Sequence, residues 1–234
     1  MTTLDAEIRK PLRIGELITA SLRIYGSRPF EFLLLGLLQG AALVATVWLP
    51  FVADLLLVAL AFGMAFAIVA RVIVGDRLGA ALGQALQLLP VVITLALVVG
   101  IPFSFAASFL IFLIVAAAWL GLSAFAIPAA VIETPEDTSY AGRVASSLRR
   151  TVELARVEYV HAFGVAAILI VITLLVGIVL ALALASFADN GRIAAVALSQ
   201  IVLSPFFFIG LTVLYFEQRA RAEERRGART SGPS

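Results

Sequence analysis

The sequence predicts an all-α membrane protein with six transmembrane helices and three short amphipathic helices at one membrane surface. The first observation is composition: 62% of the 234 residues are hydrophobic and 14% are charged, whereas soluble domains are about 45–50% apolar and about 25% charged. The second is that the charges leave five long uncharged runs. The third is that basic residues gather between alternate spans, which is typical of multi-pass proteins. A soluble core of this size could not bury so much apolar surface.

The five uncharged runs supply the spans, because a helix needs about 20 apolar residues to cross a membrane. One run, Val91–Ile132, would be about 63 Å long as a straight helix, roughly twice the hydrocarbon thickness, and must fold back on itself. We place its turn near Ser104–Ser108. The predicted spans are Phe30–Phe51, Leu55–Val74, Pro90–Ala107, Leu110–Ile127, Ala162–Ser186 and Ile193–Phe216.

The basic residues predict the orientation. With six spans, 16 of the 17 Lys and Arg residues lie on one side of the membrane, and only Arg192 lies on the other. The positive-inside rule then places both termini in the cytoplasm. An odd number of spans would put the arginine-rich tail outside, so the charges favour an even count.

An apolar stripe at helical spacing precedes each pair of spans, and three segments within these stripes align without gaps at offsets of 64 and 66 residues. The aligned segments are Ile18–Ile24, Leu82–Leu88 and Leu148–Leu154. We therefore predict a threefold repeat of one interfacial helix plus one transmembrane hairpin. The alternative is that any three amphipathic helices look alike at this resolution. The stripes are Ile14, Leu17, Ile18, Leu22 and Tyr25; Leu78, Leu82, Leu86 and Leu89; and Val144, Leu148, Val152 and Ala155.

The domain organisation follows from these elements. A cytoplasmic tail covers residues 1–12, and a single transmembrane domain covers 13–218, with repeats at about 13–75, 76–133 and 134–218. A basic tail covers residues 219–234. The last helix is expected to continue to Arg226, after which we expect disorder.

The interfacial helices carry the candidate contact residues for anionic lipid headgroups or for a protein partner, with about 1 kcal/mol expected per basic residue near the surface. A purely structural role, in which these helices only cap the bundle, is the alternative. Four further polar residues lie at or near membrane depth and either pack helices together or line a polar path. The contact candidates are Arg13, Arg23, Arg28, Arg77, Arg143, Arg149, Arg150 and Arg156, and the intramembrane candidates are Glu31, Gln39, Gln200 and Ser204.

Small residues four apart predict close helix contacts in three spans. These patterns are Gly36-x-x-x-Gly40, Ala59-x-x-x-Gly63-x-x-x-Ala67 and Ala117-x-x-x-Gly121. Pro102, Pro128 and Pro205 are expected to kink or end their helices.

Enzyme and metal signatures are missing from the sequence. It has no cysteine and one histidine, His161, and it contains no phosphate-binding loop, HExxH or GxSxG motif. We therefore predict no catalytic residue, no metal and no cofactor. Nucleic acid is not an expected partner, because the basic residues flank the spans instead of lining a groove.

Three segments carry a family resemblance: Pro11–Tyr25 with the Arg28-Pro29-Phe30 that follows, Ser147–Arg156, and Leu214–Arg221. They resemble the bacterial six-span glycerophosphoryl diester phosphodiesterase membrane-domain family and its uncharacterised relatives. The resemblance covers nearly the whole chain. This sequence contains no phosphodiesterase domain, so the enzymatic activity does not carry over. The resemblance implies a multi-pass protein of a bacterial cytoplasmic membrane with no catalytic residues to transfer.

The resulting functional prediction is a non-enzymatic scaffold, adaptor or lipid-associated subunit of a membrane complex. Its partners would be membrane lipids, a membrane protein or a second copy of the chain. The alternative is a small transporter or channel for an apolar or lipid-like substrate, which would not need buried charge. A membrane-embedded enzyme is a third and weaker hypothesis, because acid–base pairs are missing.

Overall fold

The computed structural model describes residues 12–46, 48–106, 111–133, 139–184 and 188–230. These residues form helices and turns, with no strand among them, so the all-α prediction is confirmed. The helices are α1 (Ile14–Ser27), α2 (Pro29–Thr46), α3 (Phe51–Val74), α4 (Leu78–Gln87), α5 (Leu89–Ala106), α6 (Ile111–Ser123), α7 (Ala126–Ile132), α8 (Tyr140–Ala155), α9 (Tyr159–Ala183) and α10 (Ala188–Thr230).

Several of these helices are long and apolar enough to cross a membrane. Four segments qualify alone: Ala53–Val74, Leu113–Ile132, Tyr159–Ala183 and Ala197–Gly227. The pairs α1–α2 and α4–α5 bring the total to as many as six, but each pair bends sharply, by 97° and 85°. A short helix therefore lies nearly perpendicular to the apolar helix that follows it.

Several predicted boundaries differ from the structure. The first predicted span ends at Phe51, whereas α2 ends at Thr46 and Phe51 begins α3. The fourth predicted span ends at Ile127, whereas helix continues through α7 to Ile132 after a break at residues 124–125. Pro128 explains the break, because it has no N–H to donate to the carbonyl of Ala124. Helix α5 includes Ser104, so part of the predicted turn is helical, and residues 107 and 108 of that turn lie outside the described residues. Helix α10 runs to Thr230, beyond the predicted end at Arg226.

The apolar helices close into a ring. Each packs against the next along the chain, in the order α2, α3, α5, α6, α9 and α10, and α10 packs against α2. Helix α3 also contacts α7 and α10 across the ring. There the rings of Phe66 and Phe208 stack with centroids 5.3 Å apart, and Phe62 meets Phe208 edge-on at 5.1 Å. Aromatic packing thus fills the space between α3 and α10.

Glycines line the three seams between successive predicted hairpins. A Cβ on Gly36 of α2 would overlap the carbonyl oxygen of Ile201 in α10. This carbonyl has no helical N–H to accept, because the residue four positions later is Pro205. A Cβ on Gly63 would lie 2.8 Å from the side chain of Val92 in α5, and one on Gly121 would lie 2.9 Å from the backbone of Phe163 in α9. The predicted small-residue faces therefore lie at real helix contacts, which supports the packing interpretation.

The two helices of each predicted hairpin differ in burial where both can be compared. In the most apolar window, 67% of α3, 72% of the α6–α7 segment and 61% of α10 are buried, but only 22% of α9. The second helix of each predicted hairpin is therefore largely buried, and in the third hairpin it is far more buried than the first helix. Helix α9 lies at the periphery and presents exposed aliphatic side chains such as Val179 and Leu182.

The short helices α1, α4 and α8 bury the same register positions. At positions that the repeat offsets make equivalent, one set of side chains faces the bundle and another set faces outward. The buried pairs are Leu17 and Ser21, Ala81 and Ala85, and Ser147 and Thr151. The outward residues are Leu22, Leu86 and Val152, with exposed fractions of 57%, 53% and 37%. The predicted apolar stripes are therefore divided, one part facing the bundle and one part facing its surroundings.

Candidate functional site: the charged end of the bundle

Three groups of charged side chains gather at one end of the ring, which we call the charged end. The turns that join α1 to α2 and α8 to α9, which we call elbows, lie here. The ends of α3, of α7 and of the apolar part of α10 lie here as well. Each group joins segments that are far apart in sequence. The charged end is therefore built by tertiary contacts, and the short helices are attached to it.

The first ion cluster comprises Arg28, Glu31, Arg71 and Asp76. The Nε of Arg71 donates to the carboxylate of Asp76 at 2.7 Å, and its Nη1 donates to the carbonyl of Val131 at 3.2 Å. Arg28 donates to the carbonyl of Asp76 at 3.4 Å and lies 3.6 Å from Glu31. Arg71 thus links the end of α3 to the end of α7.

A left-handed glycine makes the first ion cluster possible. Gly75 ends α3 with φ +113°, and its N–H donates to the carbonyl of Val72 at 3.1 Å. The N–H of Asp76 returns to the carbonyl of Arg71 at 3.2 Å. This helix-terminating turn brings the Asp76 side chain back beside Arg71, and a side chain at position 75 would be strained there.

The second ion cluster comprises Glu133, Arg150, Glu153 and Tyr215. Arg150 of α8 donates to Glu133 at 3.0 Å and to Glu153 at 3.4 Å. The hydroxyl of Tyr215, a fully buried residue of α10, donates to Glu133 at 2.6 Å. Glu133 therefore joins α8 and α10 to the end of α7.

The third ion cluster comprises Glu158, His161, Glu217 and Arg221. Arg221 of α10 donates to Glu217 one turn earlier, to Glu158 at the elbow between α8 and α9, and to the carbonyl of Leu12. Glu217 is completely buried and lies 3.6 Å from His161 Nε2. A buried carboxylate needs a cation and hydrogen-bond donors, and Arg221 provides both.

The predicted contact arginines fall into two groups. Arg28 and Arg150 belong to the ion clusters, and the Arg150 side chain is only 17% exposed. Both are therefore poor candidates for binding lipid or a partner. Arg143 is half-buried. The exposed members are Arg13, Arg23, Arg77, Arg149 and Arg156.

The exposed arginines lie close to the outward aliphatic residues of the short helices. Arg149 is 84% exposed and has one ion pair, at 3.4 Å to Glu153. Arg156 ends α8 close to Val152, and Val160, which is 79% exposed, opens α9 just beyond it. Cations beside apolar side chains suit the boundary between lipid headgroups and acyl chains.

The predicted intramembrane polar residues are dispersed. Glu31 belongs to the first ion cluster. Ser204 donates to the carbonyl of Gln200 within α10 at 2.6 Å, so its hydroxyl is satisfied by its own helix. Gln39 is buried between α2 and its neighbours, and its Nε2 has no hydrogen-bond partner. The Gln200 side chain is half-buried. No contact described by the structure joins Gln39 to Gln200.

Sequence reasoning missed the residues that build the charged end. Glu133, Glu158, Glu217 and Tyr215 were not selected, and Arg221 was assigned only to a basic tail. A signal was present, because each acid stands next to the end of an apolar run, where an unpaired carboxylate would be costly. The partners of these acids could not be inferred from sequence spacing. The two partners of Glu133, for example, are Arg150 and Tyr215, which lie 17 and 82 residues away along the chain.

One small cavity lies at the charged end. Its volume is about 90 Å³, and it is lined by Phe216, Arg219, Ala220 and Glu223 on α10. In the part of the chain that the structure describes, no three His, Cys, Asp or Glu side chains are grouped to hold a metal ion.

Comparisons with protein-family models, curated proteins and solved structures gave no match to this chain.

Proposed function

We propose that the chain is a six-span membrane protein with both termini in the cytoplasm, built as a threefold repeat. The bias of basic residues toward the charged end supports this orientation. The repeat is supported by the matching buried and outward positions of α1, α4 and α8. The elbow residues also support the repeat, because Arg28 and Glu158 are equivalent under the repeat offsets. Arg28 bonds to Asp76 at the end of α3, and Glu158 bonds to Arg221 of α10, so each contacts the second helix of its own hairpin.

Within this framework, we propose that the protein is a non-enzymatic scaffold or lipid-associated subunit. Its contact surface is the outer face of α1 and α8, where exposed arginines adjoin outward aliphatic residues. The observation that carries the proposal is the near-perpendicular bend of 97° between α1 and α2. A helix at this angle to a span lies in the membrane plane, at the depth of the lipid headgroups.

The surface is suited to anionic lipids of the cytoplasmic leaflet. Arg149 and Arg156 lie on the exposed side of α8, whose inner side is buried. Each basic residue near an anionic surface contributes about 1 kcal/mol, and burial of aliphatic side chains adds to this. We also propose that the protein lies in a bacterial cytoplasmic membrane, as its resemblance to the glycerophosphoryl diester phosphodiesterase membrane-domain family implies.

The test is purification of the full chain in mild detergent, followed by mass spectrometry of the bound lipids and proteins. The variant R149Q/R156Q removes two exposed cations. The matched control is R225Q/R226Q, which removes two charges from the exposed extension of α10. We expect the first variant to lower the ratio of bound anionic to zwitterionic lipid about thirtyfold, because about 1 kcal/mol is lost at each of two residues and every 1.4 kcal/mol is tenfold.

The outcomes separate the candidate functions. A stoichiometric protein partner, lost in R149Q/R156Q and retained in the control, would establish the scaffold. Selective loss of anionic lipid alone would establish the lipid-associated subunit. Unchanged lipid and protein binding in both variants would contradict the proposal. A single enriched apolar small molecule, with no partner, would favour the transporter alternative.

A further inference from the structure

The third ion cluster joins three separate segments through one guanidinium. Arg221 donates to Glu217 within α10, to Glu158 at the elbow after α8, and to the backbone carbonyl of Leu12 at 3.2 Å. Leu12 lies immediately before α1 and is 3% exposed. The start of α1 is therefore attached to α10 across a separation of 209 residues.

Glu217 fixes the orientation of this guanidinium. Its carboxylate is completely buried, and the neighbouring Gln218 donates to it at 3.1 Å. If Arg221 turned away, Glu217 would be left as a buried charge whose nearest basic neighbour in the described chain is His161, at 3.6 Å. The guanidinium is rigid and planar, so binding of its Nε–H to Glu217 fixes the direction of its remaining N–H groups. Those groups donate to Glu158 and to the carbonyl of Leu12.

The backbone of Leu12 is held from both sides. Its carbonyl accepts from Arg221, and its N–H hydrogen-bonds to Glu217. The next turns of α1 pack on α10, with Leu17 and Ser21 completely buried. The ion cluster thus holds the chain just ahead of the helix whose other face carries Leu22 and Arg23.

We propose that the third ion cluster is a latch that holds α1 on the bundle, with Arg221 as its fastening residue. The latch is separate from the proposed contact surface, because it acts on the inner face of α1. It is also open to disruption, since Glu158 and Arg221 retain side-chain exposures of 39% and 21%. Loss of the guanidinium frees Leu12 and lets α1 leave α10.

Cysteine accessibility tests the latch directly, because the chain has no cysteine of its own. The reporter is S21C, a near-isosteric change at a completely buried position of α1. The matched reporter is S147C, at a buried position of α8, the helix that Arg150 joins to Glu133. Each is labelled with a membrane-impermeant maleimide in the full-length, detergent-solubilised protein, alone and combined with R221Q or R150Q.

We expect R221Q to raise the labelling rate of S21C about tenfold or more, because a buried ion pair loses one partner. The rate at S147C should change less than about twofold. R150Q should have the reverse preference. E158Q removes only the more exposed partner and should raise the rate at S21C about threefold, so it decides the question if R221Q does not fold.

Two results would overturn the latch. One is an S21C rate that stays within about twofold of its starting value in a folded R221Q protein, or in E158Q if R221Q does not fold. The other is a parallel rise at S21C and S147C, which would mean that the bundle loosens as a whole. Neither result depends on lipid or partner binding, so the latch and the proposed function can fail separately.

Discussion

The short helices α1 and α8 are followed by charged residues that bind the bundle, whereas α4, which occupies the same place in the second predicted repeat, is followed by apolar residues. The Arg71–Asp76 ion pair lies just ahead of α4, and the difference is therefore confined to the end of the helix. The elbow residues Arg28 and Glu158 are ion-paired or hydrogen-bonded to the bundle, and the aligned residue after α4 is Val92, which is completely buried. Helix α4 itself contains no charged residue, and only Ala81 and Ala85 are fully buried. One architectural position is thus stabilised in two ways, which predicts different sensitivities to substitution.

The largest difference in stability between variants should appear when the charge of Arg221 is removed. We expect R221Q to lower the free energy of unfolding by about 3–5 kcal/mol, because it leaves Glu217 buried and unpaired. R77Q at the start of α4 should change it by less than about 0.5 kcal/mol, since Arg77 is exposed and has no partner among the described residues. Thermal unfolding in detergent, followed by tryptophan fluorescence, measures both. Equal losses would remove the distinction between the two helices.

The next largest effect should come from packing beneath α4. We expect A85L to cost about 1–3 kcal/mol, because a completely buried alanine leaves no space for three more carbons. L86A, at the outward neighbour that is 53% exposed, should stay within about 0.5 kcal/mol. The same unfolding measurement applies. If A85L were neutral, α4 would not be held by close packing.

Local opening should then distinguish the helices without any substitution. We expect the backbone amides of α4 to exchange with deuterium about tenfold faster than those of α8, a difference of about 1.4 kcal/mol in opening free energy. Helix α8 has an N-cap hydrogen bond from Gly142 to Ser139 and the ion pairs of Arg150. Helix α4 has no side-chain cap and contains no charged residue. Exchange mass spectrometry of the intact protein reports both helices together. Slower exchange in α4 would contradict the comparison.

The smallest effect belongs to the more exposed elbow charge. Arg28 is 40% exposed and makes long contacts of 3.4 and 3.6 Å. We expect R28Q to cost about 0.5 kcal/mol and E158Q about 1 kcal/mol, because exposed ion pairs contribute little. Melting temperatures of the two variants, compared side by side, give the order. A larger loss for R28Q would mean that the first ion cluster is the main fastening.

Much of the architecture could be predicted from the sequence. Apolar runs bounded by charge located the long helices within a few residues, because a membrane-spanning helix needs a run of fixed length. The glycines at positions 36, 63 and 121 lie at helix contacts, as their spacing indicated. Less could be predicted of the charged end. The arginines were treated as one set of surface contacts, although Arg28 and Arg150 are joined to carboxylates and carbonyls of the chain itself.

The sequence by itself determined the all-helical class, the positions of the apolar helices and the short helices before them, because these depend on local composition and on periods of a few residues. The tertiary structure alone decided which arginines face inward and which face outward. It also decided that Ser21, Ala85 and Thr151 lie beneath the short helices while the neighbouring Leu22, Leu86 and Val152 face outward. The physical reason is distance along the chain: Arg71 and Val131 are 60 residues apart and Arg221 and Leu12 are 209 apart, and only the closed ring brings them together.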